Sequence, residues 1–104
     1  MKEQAAAALV DAAMRAVPQI KGALFLGDGR CAGGVLIEAA GLRRPAEMPI
    51  DWDALCAWTG MDAVSRHACP HDCGMDTQIE WLLMVHLNNV HGDDFLTIAR
   101  KLGP

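Results

Sequence analysis

Apolar positions recur at helical spacing through residues 2 to 17, at Ala5, Ala8, Leu9, Ala12, Ala13 and Ala16, and Pro18 cannot continue the pattern. That spacing predicts a first helix. The run QIKGALFLGDGR, closed by Gly27, Asp28 and Gly29, predicts a brief strand entering a loop. From Cys31 to Ala40 the pattern turns helical again, with small residues on the first turn that let a neighbour come close and a glycine stop at Gly41. Residues 42 to 49 carry two prolines and two arginines and predict a loop. Asp51 is placed to cap a short helix ending at Gly60, and residues 61 to 75 show no regular period.

Residues 78 to 89 are apolar almost all round, through Ile79, Trp81, Leu82, Leu83, Met84, Val85 and Leu87, which predicts a central or deeply covered helix. Asn88, Asn89 and Gly92 end it, and Asp93 or Asp94 caps a last helix whose inward face is Phe95, Ile98, Ala99 and Leu102. The fold class expected is mainly α, with about five helices and one short β element in a small single domain spanning 1–104.

Composition narrows the function classes. The chain is 52% hydrophobic, too apolar to stay disordered, yet no run approaches the roughly 20 apolar residues of a membrane span. A net charge of −4 offers no field to draw in a phosphate backbone, so nucleic acid is disfavoured as a partner. Glu3, Asp11 and Arg15 interrupt the first apolar stretch, unlike a secretory leader, and point to a cytoplasmic protein. In a reducing compartment four cysteines are thiols or metal thiolates, and Cys31 and Cys56 read as plain buried thiols.

Residues 67 to 94 hold all four histidines and two of the four cysteines. Cys69 and Cys73 are separated by three residues, Cys73 and His86 by twelve, and His86 and His91 by four, the ligand spacing of a two-Cys, two-His zinc site. Zinc takes four soft or borderline donors in a tetrahedron, and a tight turn plus one helix end supply them with little chain ordering. His67 or His71 could replace one of the histidine ligands.

With Leu83 three residues before His86, residues 69–91 resemble the two-Cys, two-His zinc-finger family in ligands and in one core position. The segment departs from it at Thr77, where the family carries an aromatic residue, and in having no Lys or Arg from Asp76 to Val90. Groove reading needs such side chains, so the ion implied here, Zn²⁺, is structural and replaces missing core in residues 61 to 75.

Two further resemblances bear on function. HLNNVH at 86–91, followed by FLTIARKL and preceded by CAGGVLIEAAG at 31–41, is similar to small uncharacterised bacterial and phage proteins. That likeness implies a compact helical domain without established chemistry. GRCAGGV resembles the Asp-Cys-Ser-Gly stretch of papain-like cell-wall peptidases, which implies a thiol hydrolase with Cys31 as nucleophile at a helix N-terminus, His86 or His91 as base and Asn88 or Asn89 as orienting residue. Gly29 and Arg30 replace the acidic neighbour of that family, and its base stands on a strand.

Lesser signals are a Cys69–Cys73 redox pair, a basic patch of Lys21, Arg30, Arg43 and Arg44, and a recognition surface of Trp52 and Trp58, which otherwise belong to the core. The function expected is a small zinc-stabilised binding or regulatory module with a protein partner, ahead of an enzyme, and self-association is compatible with it.

Overall fold

Alanine's single methyl group sets how closely two helices can lie, and the first helix of the chain uses that property. In the computed structural model, which describes residues 3–45 and 48–102, α1 (Glu3–Met14) buries Ala5, Leu9 and Ala12. It packs chiefly on the last helix, α5 (Phe95–Leu102), whose Phe95, Ile98 and Ala99 join the same cluster. The helix stops earlier than the apolar spacing implied. Val17 precedes a proline and is held out of helical geometry, and Ala16 turns left-handed at φ 54° so that Val17 N–H reaches Ala12 O.

The brief strand expected after it is a two-residue hairpin, β1 (Phe25–Leu26) against β2 (Gly29–Arg30), antiparallel, with Phe25 opposite Arg30. Helix α2 (Ala32–Ala39) follows and is buried from Ala32 to Ile37. The small residues on its first turn do what was expected of them. A Cβ at Gly34 would lie 2.1 Å from the carbonyl oxygen of Leu24, and one at Gly33 would lie 3.0 Å from the Trp81 ring. Helix α3 (Trp52–Thr59) begins as expected, with Asp51 Oδ1 accepting from Ala54 N–H at 3.1 Å.

The stretch from 61 to 75 is mostly irregular but contains β3 (Arg66–His67), which pairs antiparallel with β4 (Gln78–Ile79). The described residues therefore hold five helices and two small strand pairs rather than one β element. Helix α4 (Glu80–Asn89) starts two residues later than its hydrophobicity suggested, because Gln78 and Ile79 are committed to β3. Nor is it covered all round: Met84 and Leu87 are buried, but Leu82 remains 48% exposed. Trp58 packs against the core cluster, whereas Trp52 is half-exposed and meets Trp81 edge-on, ring centroids 5.3 Å apart. No described helix is long and apolar enough to cross a membrane.

One buried amide ties the end of α4 to the start of α2. Asn88 Oδ1 accepts from Ala32 N–H at 3.0 Å and from Gln19 Nε2 at 2.8 Å, while its Nδ2 donates to Ile20 O and to Asn89 Oδ1, each at 2.8 Å. Asn89 Oδ1 also accepts from Gly22 N–H at 3.1 Å. Removing the amide strands a helix N–H and a carbonyl away from water, and each orphan carries a desolvation penalty. Asn88→Ala should lower the unfolding free energy in urea by at least about 2 kcal/mol, far more than an exposed amide would contribute.

Candidate metal centre

The loop joining β3 to β4 holds both cysteines. Asp72 N–H donates to Cys69 O at 3.1 Å, closing a turn, and Asp72 is left-handed at φ 52°, a conformation that aspartate tolerates better than most residues. The turn sends both sulfurs to the same side. Cys69 is 8% exposed and belongs to the core cluster, so it anchors the loop, whereas Cys73 stands at the surface.

The two histidines come from the last turn of α4 and the residues just after it. In a continuous helix positions five apart diverge by about 140° around the axis, too far to share an ion. Here the helix ends at Asn89 with Val90 as its cap, Gly92 adopts φ 65°, and Asp93 N–H donates back to Leu87 O at 3.0 Å. That closure brings the His91 ring edge-on to His86, centroids 4.7 Å apart.

The four ligand atoms converge. Cys69 Sγ lies 3.3 Å from His91 Nε2, Cys73 Sγ 3.5 Å from His86 Nε2, and the two Nε2 atoms 3.0 Å from each other. All four lie within 4.8 Å of one another. Bonds of about 2.3 Å to sulfur and about 2.05 Å to nitrogen in a tetrahedron require sulfur–nitrogen edges of about 3.5 Å and a nitrogen–nitrogen edge of about 3.3 Å. These three edges match those figures within a few tenths of an ångström, and with the whole set inside 4.8 Å Cys69, Cys73, His86 and His91 are positioned to hold a metal ion after small side-chain adjustments.

Neither of the other histidines enters the set. His67 lies exposed on β3, opposite Gln78. His71 turns its Nε2 to Asp93, 2.9 and 3.0 Å from the two carboxylate oxygens, and its ring stacks on His91 at a centroid distance of 4.1 Å and an angle of 16°. The Asp93 side chain is largely covered and also accepts from Lys101 Nζ at 2.8 Å, while Asp94 takes the capping role with Oδ1 on Thr97 N–H at 2.8 Å. Burial pushes the Asp93 carboxyl up, but the Lys101 and His71 hydrogen bonds outweigh it and hold the group below its ordinary value. Asp93 and Lys101 carry no signal in the sequence beyond an acid next to another acid and a basic residue in a helix.

The residues of the hydrolase alternative are not assembled as a triad. Cys31 is the N-cap of α2, 4% exposed, and its Sγ accepts from Gly34 N–H at 3.4 Å. His86 and His91 face the sulfurs of Cys69 and Cys73, and Asn88 and Asn89 have their amide groups committed to Ala32, Gln19, Ile20 and Gly22. The four cysteines are free of disulfides, Cys69 and Cys73 included. The basic patch also dissolves into pairs: Arg30 and Arg43 both reach Glu38 and flank the Phe25 ring, and Arg44 reaches Asp51. Set against known proteins, the chain matches no family model, no curated protein and no solved structure.

Desolvation, then the neighbouring His71 and His86, push the His91 imidazole below its ordinary value of 6.5. The lowered value favours the neutral ring that a metal needs. It also fixes a sign. In metal-free protein the unfolded chain takes up this proton as pH falls through about 6.5 while the folded chain resists it, so stability should decline through that window and be flat above it. Urea unfolding at about pH 7.5 and about pH 5.5, with an NMR titration placing the His91 midpoint below that of an ordinary histidine, checks both parts.

Proposed function

We propose that this chain is a small zinc-stabilised binding or regulatory module that acts through protein contacts in a reducing, cytoplasmic setting. The observation that carries the proposal is the closed donor set. Four protein donors lie close enough to share one ion, and if all four bound it they would complete a tetrahedron with no position for water or substrate, the character of a structural ion rather than a catalytic one. Two thiolates and two imidazoles suit Zn²⁺, and unpaired cysteines suit a compartment that keeps thiols reduced.

The place of the centre supports a role in binding. Its hairpin, β3 and β4, contributes Ile79 to an apolar cleft of about 270 Å³ that Met61, Trp52, Leu55, Trp81 and Leu82 also line. An ion holding loop 68–77 to the end of α4 would steady the hairpin that carries Ile79. A cleft with an exposed tryptophan and leucine suits an apolar side chain of a protein partner. A helix α4 without Lys or Arg, and arginines already paired with carboxylates, give a nucleic-acid partner little to hold.

Elemental analysis of the purified protein should find one zinc per chain, and its removal by a chelator should lower the melting temperature by more than about 10 °C. Cys73→Ser should do comparable damage; a metal-free preparation with an unchanged melt would end the proposal. Against the hydrolase alternative, a mild alkylating agent at neutral pH should modify Cys56 before Cys31, because Cys31 is buried at its helix end; selective labelling of Cys31 would reverse that ranking.

A further inference from the structure

A buried carboxylate lies beside the metal centre without belonging to it. The Asp93 side chain is 8% exposed and accepts from two elements at once, from Lys101 Nζ on α5 at 2.8 Å and from His71 Nε2 on the cysteine loop at 2.9 Å. Lys101 Nζ lies 3.1 Å from the same Nε2, so that the three side chains meet at one point. The Asp93 backbone is held too, since Asp93 O accepts from Gln19 Nε2 at 2.7 Å and its N–H donates to Leu87 O.

We propose that His71, Asp93 and Lys101 form the outer shell of the metal centre, with Asp93 positioning His71 so that its ring fixes the plane of ligand His91. The proposal builds on the zinc reading. A ligand imidazole that can swing about its Cα–Cβ and Cβ–Cγ bonds loses rotational freedom when it binds, and a ring already clamped has less to lose. The clamp is geometric: the His71 and His91 planes lie 16° from parallel at 4.1 Å, and His71 itself is held at its far nitrogen. It ties the centre to α5 as well as to α4, so that the loop, the helix end and the last helix meet at one carboxylate. His71, a candidate ligand by its sequence position, thus acts through a ligand instead of as one.

Zinc content of the unaltered protein is measured first, which separates the two readings: a protein that takes up no metal overturns the zinc module and this proposal with it. On the loaded protein, zinc affinity is read by competition with a chelating dye, and cobalt(II) serves as a spectroscopic probe. His71→Ala and Asp93→Asn should each weaken zinc binding by about tenfold or more and alter the cobalt d–d bands. His71→Phe keeps a ring against His91 but loses the Asp93 anchor, and should fall between wild type and His71→Ala. Metal-free His71→Ala should still unfold cooperatively in urea, so that its loss of affinity is read on a folded protein. Affinities of His71→Ala and Asp93→Asn within twofold of wild type, or a His71→Phe variant no better than His71→Ala, would overturn the outer shell while leaving the zinc centre standing.

Discussion

A loop with almost no regular structure, residues 68–77, has to be held against the end of a helix whose residues it does not follow in sequence. Closing it costs backbone entropy, and most of its side chains are exposed and return little by burial. Cys69 enters the core and Met75 packs against it, and the rest of the loop does neither. The convergence of two sulfurs and two ring nitrogens is therefore the constraint on which this half of the molecule depends, because a metal ion held there would supply through four bonds what packing does not supply.

The receiving side is built to be rigid. Between His86 and Asp94 nearly every residue does something different. His86 and His91 present nitrogens, Leu87 enters the core, Asn88 and Asn89 clamp the linker before α2, Gly92 turns the chain, Asp93 gathers His71 and Lys101, and Asp94 starts α5. A ligand pair is useful only if its backbone does not yield. The buried amide of Asn88, with every hydrogen-bonding atom partnered, provides that stiffness by welding the helix end to Ala32 and Ile20. The small residues of α2 fit this close packing, since the backbone of Leu24 leaves no room for a side chain at Gly34 and the Trp81 ring crowds Gly33.

Much of this was legible in the chain itself. The four ligands could be read from spacing because a tight turn and a helix end are local structures, and local structures constrain which donors can meet. The N-cap at Asp51, the small first turn of α2 and the apolar face of α5 are legible for the same reason. Less legible was where the core lies. A run as apolar as residues 79 to 87 reads as the centre, yet the alanine-rich α1 against α5 occupies that place, since small side chains bring two backbones together without announcing it by hydrophobicity.

The sequence by itself determined the helical class, the donor types and the turn and helix end that carry them, because each depends on residues within a few positions of one another. Only the tertiary structure decided which histidines belong to the set. His71 is two positions from Cys73, nearer in sequence to the cysteines than His86 is, and is excluded because Asp93, twenty-two residues on, holds its ring nitrogen. It likewise decided that Cys31 is a buried cap and that Asn88 is a clamp, since both roles depend on partners brought from distant parts of the chain. Distance in sequence hides such partners, and only the packing of α1, α2 and α5 brings them within reach.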